Sequence, residues 1–311
     1  MTSQTRHTSK SAAEDKNTSV GLLMRSTAWA INEANFAELQ ALHEAHLQNP
    51  KLDIKSLETR IGFSLARPLK PYSIDRGVAI IPIEGLIVPK ENLLTRCFGA
   101  TSAQWVEEQV KAAVNDHRVK SILLHIDCPG GSASGTPELA ETVFHGAKKK
   151  PIVAYSDSLM LSAGYWVAAA ANDVYLSGPS VHAGCIGITM AHVYRAGTDL
   201  VTTQISAGQF KTIASPLYPL TDAGRSHIQA QVNYLYNVFI ADIAKYRGTT
   251  GGYVCTRMAD GRTYIGKQAV DAGLADGIQP LGKLLASMAA NPDRFGARKR
   301  VLANRPPVAR I

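Results

Sequence analysis

The chain has 311 residues, 45% of them hydrophobic and 19% charged, an ordinary globular composition sufficient for one large domain or two small ones. Its four cysteines, Cys97, Cys128, Cys185 and Cys255, are widely separated, with no CxxC pair and no His/Cys spacing suited to zinc. That argues against a disulfide framework or metal site and for a reducing compartment.

Residues 1–20 are polar, cannot bury a core and read as a disordered tail. They lack the apolar stretch of a secretory signal, and no apolar run reaches the roughly 18 residues of a membrane span. The expected location is therefore cytoplasmic. From Ala28 to Gln48, Phe36, Leu39, Leu42, His43 and Leu47 recur at helical spacing, with Asn35 and Glu38 as a capping box. This predicts a helix in an N-terminal extension over residues 21–75, whose second half, punctuated by proline, is a linker.

The pattern then changes. Residues 78–87 read as a strand, Ser102 to Asn115 as an amphipathic helix, and 119–127 (VKSILLHID) as a fully apolar strand running into CPGGSASG. A helix follows at 138–149, a buried strand at 151–157, the apolar stretch LSAGYWVAAAA, and strands at 174–178 and 184–189. Thr221 caps a long helix to about Arg247, with Ile228, Val232, Leu235, Phe239, Ile240 and Ile243 on one face. Residues 265–278 read as a short helix closed by Gly273 and a final strand. Apolar strands alternating with helices predict an α/β fold with a parallel sheet covered on its faces. The boundaries drawn from this are 76–280 for the main domain and 281–311 for a basic tail. In the tail, Arg298, Lys299, Arg300, Arg305 and Arg310 carry part of the net charge of +8. The tail reads as a solvated end, and contact with nucleic acid or an acidic protein surface would fall there.

Three features fall just beyond strand ends, where parallel α/β proteins keep their sites. Gly130 and Gly131 after Pro129 allow positive φ and could aim N–H groups at an anion, though the same residues also make a tight turn. Ser162, at the mouth of an apolar helix, suits a nucleophile with the Ala163 N–H in its oxyanion hole, or else a helix N-cap. Lys211, flanked by Phe210 and Ile213, would act as general base if desolvation lowers its pKa, or else is a snorkelling surface lysine.

In order along the chain, HIDCPGGSASGTPELAE, SLMLSAGYWVAAAANDVYLSGPSVHAGCIGI, GQFKTIASPLYPLT and DGRTYIGKQAVDAGLAD resemble the signal peptide peptidase A family of serine peptidases. The resemblance covers roughly residues 76–280. It implies a crotonase-like (Clp-protease-like) fold of stacked ββα units, here with an N-terminal helical extension, and a homo-oligomer. It also implies Ser162 as nucleophile, Lys211 as base, and an oxyanion hole from Gly130 or Gly131 with Ala163; no cofactor or metal is implied. Cys128 stands where the family usually has a small hydroxyl residue. Cys185 stands where a serine usually hydrogen-bonds the lysine, so a weaker donor would position this base.

The segment WAINEANFAELQALHEAH looks like the front of phage capsid-maturation (prohead) proteases, implying capsid and scaffold proteins as substrates and the host cytoplasm or procapsid as the place of action. Three other readings remain: a cytoplasmic peptidase degrading peptides, a crotonase-type acyl-CoA hydratase or isomerase using Glu138 or Glu141, and an inactive assembly protein that keeps the fold.

Overall fold

The computed structural model describes residues 28–31, 71–91, 95, 99–192, 194, 204–215 and 217–296. The tail at 1–20, the helix anticipated through Phe36 and Leu47, and residues 297–311 lie outside the described residues. Two short strands come first, β1 (Trp29–Ile31) and β2 (Ser73–Asp75). After them one pattern recurs: a strand of a main sheet, a short strand in a second layer, and a helix. The first turn of the pattern is β3 (Val78–Glu84), β4 (Ile87–Val88) with β5 (Thr101–Ser102), and α1 (Ala103–Asn115). The second is β6 (Ser121–Asp127), β7 (Gly130–Ser132) and α2 (Thr136–Gly146). The third is β8 (Ile152–Ser156), β9 (Leu159–Leu161) and α3 (Ala163–Ala169).

A fourth turn begins with β10 (Asp173–Leu176) and β11 (His182–Gly184) and reaches the long α4 (Asp222–Arg247) and the short α5 (Gly251–Arg257). The chain then adds β12 (Thr263–Ile265), α6 (Lys267–Ala272), β13 (Gly277–Ile278) and α7 (Leu281–Ala290). The main sheet runs β13-β10-β8-β6-β3-β2, parallel except where β2 joins. The second layer holds β1-β7-β4-β5 and β12-β11-β9. These are the stacked ββα units that the sequence resemblance implied.

The local chemistry explains the elements. β6 is buried on both faces over Ser121–Leu124, so Ile122, Leu123 and Leu124 are apolar in succession rather than alternating. Ser102 caps α1 by accepting the Trp105 N–H (3.3 Å), and Ala103, Val106, Val110 and Ala113 bury one stripe of that helix. Thr221 caps α4 by accepting the Gly224 N–H (3.0 Å), and Gly248 ends it in the left-handed conformation.

Four expectations are revised. Trp29–Ile31, read only as part of a helical extension, is a strand because β7 and Thr189 offer it partners on both edges. The burial of α4 is concentrated in its second half, at Phe239, Ile240, Ile243, Ala244, Tyr246 and Arg247, while Ile228, Val232 and Leu235 are half-buried. Of residues 184–189 only Gly184 lies in a strand. Residues 281–296 are not tail: Leu284, Leu285, Met288 and Phe295 pack on Val78, Leu123, Val153 and Tyr155. No helix among the described residues is long and apolar enough to cross a membrane.

Arg247, at the end of α4, is fully buried. Its guanidinium donates to both carboxylate oxygens of Asp276 (2.9 Å each) and to the Gly273 carbonyl (3.2 and 3.1 Å). Asp276 in turn accepts the Val174 N–H (2.8 Å), so the pair pins α4 and α6 to β10. Replacing Arg247 by leucine strands a buried carboxylate, and the expected loss is about 3–5 kcal/mol. A urea midpoint for Arg247→Leu within 1 M of the native value, with unchanged m, would contradict that role.

Candidate active site

Ser162 joins β9 to α3. Its N–H donates to the Gly184 carbonyl at the end of β11 (2.7 Å), and its own carbonyl accepts the Trp166 N–H (2.8 Å) that opens α3. These bonds hold Ser162 at φ 50°, ψ −110°, a conformation rarely adopted by a residue with a side chain and costing about 1–3 kcal/mol. A strained serine on a strand-to-helix elbow is the way many hydrolases present a nucleophile.

The helix behind it is fixed. Every residue of α3 is buried, and a Cβ on Gly164 would stand 2.8 Å from the Cys128 Cβ. The Trp166 ring stacks on Phe239 (centroids 3.9 Å, 6° apart), and its Nε1–H donates to Asp242 (2.9 Å). Burial pushes the Asp242 carboxyl above its ordinary pKa, against the pull of that bond. The Tyr165 hydroxyl donates to the Leu274 carbonyl (3.0 Å). Ser162 itself is fully buried, yet its Oγ has no hydrogen-bond partner among the described residues, so it does not cap α3.

The glycine turn lies alongside. Cys128 pairs with Met160: its N–H donates to the Leu159 carbonyl (2.8 Å), and its carbonyl accepts the Leu161 N–H (2.9 Å). Two residues beyond each member of that pair come Gly130 and Ser162. Gly130 has φ 134°, and a Cβ on Gly131 would lie 2.2 Å from the Ile87 carbonyl oxygen. The thiol of Cys128 closes on the backbone two residues further on. Its Sγ–H donates to the Gly130 carbonyl (3.1 Å), while Sγ accepts the Gly130 N–H (3.4 Å). Burial pushes this thiol up to about 12, which keeps it in the protonated form that can donate. Ala163 is the first residue of α3, in the turn whose N–H groups have no intrahelical acceptor.

The remaining candidates lie as follows. Cys185, nearly buried at φ 56°, follows Gly184 next to the Ser162 backbone, and burial raises its thiol. Lys211 stands in an exposed turn, its N–H on the Gly208 carbonyl (3.0 Å), beside a hollow of about 390 Å³ lined by His192, Phe210, Ser215 and His227. Phe210, expected to bury it, is 58% exposed and stacks on His227. Among the described residues no hydrogen bond links Lys211 to Ser162 or Cys185. Glu141 is engaged by Lys245 (2.6 Å) and His145 (2.7 Å), and Glu138 is exposed; both line a groove between α1, α2 and α4. Sequence reasoning missed the strand Trp29–Ile31, which meets β7 on one edge and Thr189 on the other. The alternation in AWAI was the available signal, masked by the helical spacing that follows it.

Fold and site together define an α/β protein of stacked ββα units with a strained serine beside a glycine turn. Residues 145–293 match the model of peptidase family S49. Relatives include capsid assembly protease C of Escherichia phage lambda, 28% identical over 68% of this chain and 48% of that protein. The head-tail preconnector protein of Enterobacteria phage P21 is 27% identical over 72% of this chain and 45% of its own length. Protease 4 of Haemophilus influenzae is 25% identical over 68% of this chain and 34% of its own. The chain thus spans about half the length of the phage relatives it matches. Among solved structures, an enoyl-CoA hydratase/isomerase family member aligns with TM-score 0.43 and 16% identity, over 74% of this chain and 77% of that one.

The strain at Ser162 can be measured without any substrate. Ser162→Gly relieves the positive φ and removes a buried unpaired hydroxyl, so it should raise stability by about 1 kcal/mol. Ser162→Val, β-branched in the same conformation, should lower it. A glycine variant less stable than the native chain in urea would show that Ser162 is unstrained.

Proposed function

We propose that this chain is a serine endopeptidase in which Ser162 is the nucleophile and Lys211 the general base, acting on capsid and scaffold proteins during phage head maturation in the host cytoplasm. The observation that carries the reading is the buried, unpartnered Ser162 Oγ on a strained elbow, two residues past the pairing that also leads to Gly130. The family match over residues 145–293 supports the peptidase chemistry, and the phage relatives support the class of substrate.

In this mechanism Ser162 Oγ attacks the scissile carbonyl carbon while Lys211 Nζ takes the hydroxyl proton. The Gly131 and Ala163 N–H groups hold the resulting oxyanion. The proton passes to the leaving amine as the C–N bond breaks, and water then hydrolyses the acyl-serine with the lysine again as base. A lysine serves as base only when stripped of water. The exposed turn at 208–214 must therefore be covered in the working enzyme, a task this reading gives to the homo-oligomer. Cys185 then adjusts the lysine's position. The acyl-CoA reading fits less well, since Glu141 is held by Lys245 and His145 and Glu138 faces solvent.

Mass spectrometry of coat and scaffold proteins incubated with the chain tests both roles. Ser162→Ala should lower cleavage about 10³-fold or more; near-native fragment yields would remove it as nucleophile. Lys211→Arg should be as inactive as Lys211→Ala, because a guanidinium keeps the charge but cannot accept the proton. An active arginine variant would leave Lys211 with a role in binding only.

A further inference from the structure

We propose that Ala28–Ile31 occupies the peptide-binding groove of this site as a built-in competitor, paired as an extended substrate would be, and that substrate must displace it. The inference rests on the peptidase reading for what the groove does, but its geometry is independent of that reading.

β1 is three residues long and has a backbone partner on each edge. On one side it runs antiparallel to β7, with Trp29 opposite Ser132, Ala30 opposite Gly131 and Ile31 opposite Gly130. On the other side Trp29 exchanges both bonds with Thr189, each 2.8 Å. A slot that clamps a short strand through main-chain groups on both edges is a site for extended peptides, since those bonds form whatever the side chains are.

The register is that of a substrate. The Ala133 N–H donates to the Ala28 carbonyl (2.9 Å), and antiparallel ladders alternate. Ala30 and Gly131 are therefore the next pair to exchange bonds, which sets the Ala30 carbonyl against the N–H assigned to the oxyanion. Gly130 tells the same story from its own side. A Cβ there would stand 2.4 Å from the Ala30 carbonyl oxygen and 2.5 Å from the Ile31 Cα. The glycine beside the nucleophile is thus required for this strand to approach at all. Trp29 and Ala30 are fully buried and Ile31 nearly so.

A tethered strand competes at an effective concentration that a free peptide seldom reaches, so the groove is open for only a fraction of the time and apparent affinity falls by that fraction. Removing the Trp29 N–H with proline should release it. In the Ser162→Ala background, anisotropy of a fluorescein-labelled peptide with the sequence of residues 26–33 should show about ten-fold tighter binding to Trp29→Pro than to the parent. Equal affinity, or no binding to either protein, overturns the proposal. Should the proline variant not fold, amide exchange in the native chain decides. The Thr189 and Ala133 amides, held by Trp29 and Ala28, must exchange at least about ten-fold slower than in a free peptide, and free-peptide rates overturn the proposal. Tighter peptide binding with no hydrolysis when Ser162 is present would discard the peptidase reading and keep the groove. Hydrolysis without the gain in binding would discard the competitor alone.

Discussion

The backbone of Ser162 is the constraint on which the molecule turns. Its left-handed φ is sustained because two second-layer strands, β9 and β11, end together and supply the Gly184 carbonyl to its N–H, while Trp166 takes its carbonyl into α3. The strain of about 1–3 kcal/mol is small against the burial behind it. Each of Tyr165, Trp166 and Val167 contributes about 1.5–3 kcal/mol by leaving water, so the helix holds the elbow rather than the elbow bending the helix. The Arg247–Asp276 pair then fixes the elements that close over α3, and Phe239 and Asp242 of the same long helix hold the Trp166 ring.

The glycine turn is shaped from three directions. Below it the Cys128 thiol bridges the Gly130 N–H and carbonyl, doing with sulfur what a hydroxyl would do at shorter range. Beside it the Ile87 backbone leaves no room for a side chain on Gly131, and on the open edge Ala30 and Ile31 leave none on Gly130. Both glycines are needed for close approach, and the positive φ at Gly130 is a second requirement there.

Much of this was legible in the sequence wherever one element explains its own residues. The amphipathic α1, the Thr221 cap of α4, the apolar Ile122–Leu124 of β6 and the Gly273 stop after α6 are local signals, and the fold realises each. What sequence missed depends on distant partners. Trp29–Ile31 is a strand because Gly130–Ser132 and Thr189, a hundred or more residues away, provide two edges. The helix Leu281–Ala290 did carry a helical pattern in Leu281, Leu284, Leu285 and Met288, but the basic run behind it drew the boundary too early. Phe210 beside Lys211 suggested burial from adjacency alone, and a neighbour in sequence need not lie between a side chain and water.

Helix α4 has mechanical consequences of its own. Its buried second half is keyed into the core, while its first half, roughly 18 Å of rod, leaves Tyr234 69% exposed and touches little of the sheet. The turn bearing Lys211 rides on that free end: Phe210 stacks on His227, and the Ile213 carbonyl sits so close to Gly224 that a Cβ there would approach to 2.4 Å. Ser162 is embedded in the body, whereas the lysine lies in an exposed turn beside the first half of α4. A tilt of about 5° would swing the far end by roughly 2 Å, the difference between a hydrogen bond and none. A change in the angle of that rod would therefore move Lys211 relative to Ser162 without repacking the core around either residue.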